Sequence, residues 1–279
     1  MSRVGHARAE IFDLKEKRGA RMSSMKVTVC EMSDDRSAFE RDWLALVAHV
    51  CSQKSDLVLL PEMPFDVWFG TSRTFDDVVW QATVDAHASW QSRLEELSPG
   101  TVVSTSPANR NGARVNEAFC WKAGTYTPVH SKYYLPNEPG FFEASWYERG
   151  DGSFVPVQCG PALVGFEICT ELWAFDKALL YGKQGVHILA TPRATANTSV
   201  EKWIVGGRAA AISAGAYSLS SNRSGLSKDG KFTFGGTGWI IDPDGKVLAL
   251  TSPEQPFATI EIDLNAAEDA KSTYPRYAL

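Results

Sequence analysis

The stretch "DLVLLPE", residues 56–62, is an apolar run closed by a proline and a carboxylate. It offers no polar face, so it reads as a short strand covered on both sides. Upstream, "AFERDWLALVAHVCSQ" (38–53) sets Phe39, Trp43, Leu46, Val47 and Val50 on one helical stripe, and "KVTVCEM" (26–32) reads as a strand. Downstream, residues of about 74–97 have a helical pattern that "SPG" stops, and "TVVSTSP" (101–107) returns to a strand. This β-α-β-α-β order predicts an α/β fold built in layers.

The middle of the chain is richer in strands. "ARVNEAFCWKAG" and "YTPVHSKYYLP" flank Gly124-Thr125 as a hairpin, and "FVPVQCG" and "PALVGFEIC" follow. After Cys169 a helix is expected through "ELWAFDKALLYGKQG", with Gly185 as its stop. "VHILATP" is a buried strand, and the small residues of the helix "VEKWIVGGRAAAISAGA" would let a neighbour approach closely. "YSLSSNRS", "TGWIIDPDGKVLALT" and "FATIEIDL" close the chain as strands, with a tight turn at Asp244-Gly245. No linker or repeat divides residues 25–279, which read as one domain. Residues 1–24 carry six Lys/Arg against three acids and read as a surface arm; the acids argue against a transit peptide.

Composition narrows the function. A chain of 279 residues with 44% hydrophobic content can bury a large core. A net charge of −5 gives no electrostatic reason to expect nucleic acid or an anionic membrane as partner. No apolar stretch approaches the roughly 20 residues that span a bilayer. The five cysteines are scattered without a CxxC pair, and the five histidines are equally dispersed. The chain therefore reads as a reduced, cytoplasmic protein with neither a disulfide framework nor a zinc site.

Reactive residues fall at strand ends. Glu62 follows "LVLLP", Lys132 ends "PVHS", and Cys169 ends "LVGFEI". Ligands bind at the carboxyl ends of strands in open α/β sheets, so these three groups could converge on one pocket. Taken singly, each has a plainer reading: a surface or capping glutamate, a solvated lysine, a small core cysteine.

Together they resemble the nitrilase superfamily of carbon–nitrogen hydrolases, in its amidase or N-carbamoyl amidohydrolase-like branch. "LVLLPEMPF" looks like that family's glutamate motif, "HSKYYLPNEPGFFE" its lysine motif and "GFEICTELW" its cysteine motif, in the family's order. "NEAF", "GGRAAAISAGAYSLSSNR" and "GGTGWIIDPDGKVLA" add secondary matches, and the resemblance runs from about Met25 to the C-terminus. It implies a four-layer αββα sandwich, a homodimer or larger homo-oligomer, and hydrolysis of a linear amide or N-carbamoyl compound with release of ammonia. Cys169 would be the nucleophile, Glu62 the general base, and Lys132 with the Thr170 N–H the oxyanion donors. Glu143, closing "PGFFE", would orient the lysine or substrate. Thiol, carboxylate and ammonium complete an acyl-transfer set, so no metal or organic cofactor is implied.

Rival chemistries leave groups idle or lack a partner. A papain-like pair needs a histidine in a motif-like setting, and His130 reads as structural. A glycosidase pair of Glu62 and Glu143 would leave Cys169 and Lys132 unused. Two alternatives stay open: a nitrilase acting on a C≡N group, and a binding member without turnover.

Substrate is less constrained. The family's nitrilases usually carry Trp-Glu after the cysteine, where this chain has Thr170-Glu171; its D-carbamoylases place arginine where this chain has Leu172. Arg193, in "ATPRAT", is expected to face the substrate, and Trp68, Tyr134, Trp146 and Trp173 could build an aromatic wall, with core packing the alternative for each.

Overall fold

The computed structural model describes residues 24–98 and 100–279. The expected N-terminal arm lies outside them, apart from Ser24, which opens the first strand. The strands are β1 (Ser24–Ser33), β2 (Leu57–Leu59), β3 (Thr101–Arg110), β4 (Ala113–Lys122), β5 (Thr125–Ser131), β6 (Val157–Cys159), β7 (Ala162–Phe166), β8 (Ile188–Arg193), β9 (Tyr217–Leu226), β10 (Thr233–Gly235), β11 (Trp239–Ile241), β12 (Val247–Leu250) and β13 (Phe257–Asp263). The helices are α1 (Arg36–Gln53), α2 (Asp77–Trp90), α3 (Phe175–Lys183), α4 (Val200–Ala214) and α5 (Leu264–Ala270).

The main strand order is β5-β4-β3-β2-β1-β9-β8-β7-β6. β1 is the seam. Its first part pairs in parallel with β2 and antiparallel with β13, and its last residues, Glu31 to Ser33, pass to β9. The two halves fold face to face, and period-two alternation shows how. Val27, Val29, Leu57, Leu59, Val103 and Ala118 join a core shared with Val164 and Phe166 of the other half. Their sequence neighbours Cys30, Val58, Leu60, Val102, Phe119 and Trp121 face outward against Phe39, Trp43, Leu46 and Val50 of α1. The run "LVLL" is thus apolar on both faces because one face meets a sheet and the other a helix.

On the far side α3 and α4 pack on each other, and α4 on β9 and β11. Glycine permits that approach: a Cβ on Gly207 would sit 2.8 Å from the Trp239 ring, and one on Gly182 2.5 Å from the Ala214 carbonyl oxygen. The result is the expected four-layer αββα sandwich.

Two helices differ from expectation. The run at 74–97 becomes α2 followed by a 3₁₀ turn over Gln91–Leu97, and α2 starts where the Asp76 carboxylate accepts from the Val78 and Val79 N–H groups. The helix expected straight after Cys169 begins as a 3₁₀ turn, Cys169–Trp173, and restarts at Phe175 past a kink at Ala174. Cys169 itself is left-handed, with φ of 50°, which no helix interior accommodates.

Candidate active site

The chain past β2, β5, β7 and β8 converges on one end of the sandwich, where the Glu62 N–H reaches the Arg193 carbonyl at 3.3 Å. Glu62, Lys132, Glu143 and Cys169 come together there. Lys132 is fully buried, and its Nζ donates to Glu62 Oε1 at 2.7 Å and Glu143 Oε2 at 2.6 Å. Asn116 Nδ2 also donates to Glu62 Oε1, at 2.7 Å, and the Tyr147 hydroxyl donates to Glu143 Oε2. Glu62 Oε2 and Glu143 Oε1 are buried with no hydrogen-bond partner among the described residues. Each carboxylate therefore has one oxygen spent on the lysine and one unspent.

Burial opposes charge on Lys132, but Glu143 and Glu62 outweigh it and hold the ammonium firmly protonated. Burial also pushes the Glu143 carboxyl up, with Lys132 pulling the other way. The Cys169 thiol is pushed far up, first by burial and then by Glu62, against the opposing pull of Lys132 and a hydrogen bond from the Ala194 backbone. The resting thiol is neutral. A nucleophile in this setting must lose its proton during attack.

The carboxylate loop is held by a second buried cation. Arg223 donates Nε to the Glu62 carbonyl at 3.1 Å and Nη1 to the Asp66 carbonyl at 2.8 Å, pairs with Asp34, and reaches the Met63 carbonyl. Met63 has φ of 43°, a left-handed position fixed further by its N–H on Thr105 Oγ1 at 2.9 Å. Glu171 ties the cysteine turn to the lysine strand. Its Oε2 accepts from the Ile168 N–H and pairs with His130 Nε2, both at 2.8 Å, and its Oε1 accepts from the Tyr133 N–H at 2.7 Å. His130 is thus a structural link two residues from Lys132.

A cavity of about 450 Å³ opens onto Cys169, Thr170 and Glu143. Its wall includes Phe141, Phe142, Phe232, Trp203 and Thr195, with Glu138, Asp229 and Lys231 toward the mouth. The expected wall is largely elsewhere. Tyr134 packs on Tyr133 and Phe154, and Trp173 on Trp203 and Phe175. Trp146 and Trp68 line a separate cavity of about 580 Å³, Trp146 with Nε1 on the Ser72 carbonyl at 2.6 Å and Trp68 donating to the Gly140 carbonyl at 3.0 Å. These rings back the loops that form the pocket.

Arg193 does not face the cavity either. Its Nε donates to Ser220 Oγ, Nη1 to Thr195 Oγ1 and Nη2 to the Thr237 carbonyl, at 2.7, 2.8 and 2.7 Å. The guanidinium lies 4.1 Å from the Trp239 ring centroid. Burial pulls its pKa down to about 9, with the nearby Cys169 pulling it back up. The side chain follows the β8 pleat into the core, and the next residues, Ala194 to Ala196, line the pocket instead. Asn116, which stands in "NEAF", and Tyr147 are further supports of the two carboxylates.

Residues 26–272 match the family model described as carbon-nitrogen hydrolase. The chain belongs to the carbon-nitrogen hydrolase family. Within it the likeness is to the amidase-like branch of the nitrilase superfamily. The chain is 24% identical over 270 residues to the chloroplastic omega-amidase of Arabidopsis thaliana, covering 91% of this chain and 72% of that one. It is 25% identical over 238 residues to the N-carbamoylputrescine amidase of the same plant, covering 78% and 77%. A carbon-nitrogen hydrolase from Helicobacter pylori G27 superposes with a TM-score of 0.82 at 21% identity, over 92% of this chain and 95% of that one, a likeness of fold. No helix among the described residues is long and apolar enough to cross a membrane.

Proposed function

We propose that this carbon-nitrogen hydrolase cleaves a linear, non-peptide amide or N-carbamoyl C–N bond through a thioester on Cys169, releasing ammonia. The observation that carries this reading is the division of labour at Lys132: one ammonium holds two carboxylates, each left with an unspent oxygen beside a neutral thiol. Glu62 Oε2 takes the thiol proton as sulfur bonds to the carbonyl carbon. The oxyanion is met by Lys132 Nζ and the Thr170 N–H, donors typically worth about 3–4 kcal/mol each. As the C–N bond breaks, Glu62 returns that proton to the leaving nitrogen. The same carboxylate then takes a proton from the water that attacks the thioester and passes it to the Cys169 sulfur as the carbon–sulfur bond breaks, releasing the acid. Glu143 keeps the lysine aimed, and its free Oε1 can accept from the substrate's amide N–H.

The names of the two amidase relatives support an amide or carbamoyl substrate. The aromatic wall supports a compact apolar acyl group, and among the described residues the wall holds no arginine to seat a carboxylate deep in the cavity. The pairing of two copies has an exposed apolar surface available in Phe175, Leu180 and Val205 on α3 and α4; light scattering on Val205→Asp tests it, a dimer unchanged by the added charge ruling that surface out.

The deciding experiment is intact-protein mass spectrometry with a panel of amides, ureido acids and nitriles, assayed in parallel for ammonia. An acyl adduct on the wild type and none on Cys169→Ala is expected, with amides or ureido acids as the reacting class. Undiminished ammonia release by Cys169→Ala would sink the mechanism, and turnover of nitriles alone would make the protein a nitrilase.

A further inference from the structure

Two other cysteines meet across the sandwich. Cys120 lies on β4, between Val103 of β3 and Thr127 of β5. Cys159 ends β6, the last strand of the other half, at the tight turn to β7. Their sulfurs are 3.2 Å apart, with Cys159 Sγ donating to Cys120 Sγ. The remaining cysteines are not placed this way. Cys30 donates to the Leu59 carbonyl, Cys51 is exposed, and Cys169 sits in the candidate active site.

The positions are 39 residues apart in sequence, and the segment between them carries β5, His130, Lys132 and Glu143. A bond joining sulfurs already in contact needs an approach of about 1 Å, within reach of side-chain rotation. Of the two, Cys120 is the more open, at 9% exposure against 1%.

We propose that Cys120 and Cys159 are an oxidation site, which a hydroperoxide closes into an intersheet disulfide that staples the Lys132–Glu143 segment to the second sheet. The Cys120 thiolate attacks the peroxide, the O–O bond breaks, and a sulfenic acid forms with release of water or an alcohol. The Cys159 sulfur then attacks the sulfenic sulfur, expelling water as the S–S bond forms. Two thiols lose two electrons, the peroxide gains them, and the thiol protons end on the oxygen products. The greater exposure of Cys120 favours this order, because peroxide reaches it before Cys159.

The test uses the full chain carrying Cys169→Ser, so that the candidate nucleophile does not consume oxidant. After hydrogen peroxide, the protein is unfolded in alkylating reagent and digested. The expected product is about 2 Da lighter before alkylation, with a peptide joining Cys120 to Cys159. Its Tm is about 5–10 °C above the reduced form, because the closed loop restricts the unfolded chain. Dithiothreitol reverses both changes, and Cys120→Ser or Cys159→Ala abolishes both. Four alkylatable thiols after oxidation, or a cross-link through Cys51, would overturn the site. Over-oxidation of Cys120 without a bond to Cys159 would also overturn it. The expected bond with an unchanged or lowered Tm would overturn the staple.

Discussion

Lys132 and Arg193 are both buried cations near Cys169, and they differ in what surrounds them. Lys132 shares its charge with two carboxylates, each keeping a free oxygen. Arg193 has no carboxylate within ion-pair distance among the described residues, and each of its three nitrogens donates to a hydroxyl or carbonyl oxygen. A buried charge is costly in either case. At Lys132 the cost leaves an unpaired oxygen on each carboxylate, and Glu143 lines the cavity that also reaches Cys169. At Arg193 hydrogen-bonding capacity is used up in joining β8 to β9 and to the turn at Thr237. Between these two cations, the contrast lies in the free carboxylate oxygens beside Cys169, more than in burial or charge.

The largest effects should come from the unspent oxygens. Glu62→Gln keeps the side chain's shape and one acceptor for Lys132 and Asn116, so the fold should survive. It removes the proposed base, and kcat should fall by about 10³-fold or more. Near-normal turnover by Glu62→Gln, measured as ammonia release, would break the comparison at its strongest point. Lys132→Met should be comparably inactive but also unstable, because two buried carboxylates lose their counter-charge. Removing one member of a buried ion pair costs about 3–5 kcal/mol, less whatever protonation of Glu143 recovers. Denaturant unfolding of the two variants side by side separates loss of chemistry from loss of counter-charge.

Arg193→Met should invert that pattern. The hydroxyls of Ser220 and Thr195 and the Thr237 carbonyl lose a charged donor, and an unsatisfied buried acceptor costs about 1–3 kcal/mol. Relief from burying the guanidinium offsets part of this, for a net loss of about 2–4 kcal/mol. KM should stay within about twofold of wild type for every accepted substrate. A large rise in KM confined to anionic substrates would show that Arg193 reaches the ligand after all.

What was legible in the sequence follows the same division. Alternation in "KVTV" and the unbroken apolar run "LVLL" report burial locally, and the two cores on either side of the first sheet realise it residue by residue. Glu62, Lys132 and Cys169 were legible as a set because each lies just past the end of a strand and sits in a distinctive string. The surroundings of Arg193 were not, because Ser220, Thr237 and Trp239 arrive from 27 to 46 positions downstream, a proximity that no local period encodes. The pocket wall shows the same limit: Phe141 and Phe142 lie within the lysine motif, but Phe232 and Trp203 join them only through the fold. Tryptophan count was a poor guide to the wall, since Trp68 and Trp146 each spend the indole N–H on a loop carbonyl and are committed to scaffolding.

The smallest effect concerns the link between the two sides of the site. His130 and Glu171 form a buried pair that touches neither the cavity nor Cys169 Sγ, so it belongs with the braces. Burial lowers the pKa of His130, but Glu171 and the Ser153 carbonyl more than compensate, and the net shift is upward. A histidine whose folded pKa exceeds its unfolded value, near 6.5, stabilises fully below about pH 6.5 and loses that contribution as pH rises through the folded pKa. The Tm difference between wild type and His130→Gln should therefore be largest near pH 6 and shrink toward higher pH, while Glu171→Gln removes the pH dependence of that difference. A gap that widens with rising pH would mean that neutral His130 is the form the fold requires, making the contact a hydrogen bond in place of an ion pair. Turnover should fall only modestly in His130→Gln, through a loosened angle between the Lys132 strand and the Cys169 turn. If kcat instead collapsed with Tm unchanged, the pair would have to be counted with the reacting groups, and the line between brace and reactant would need to be redrawn on this side of the site.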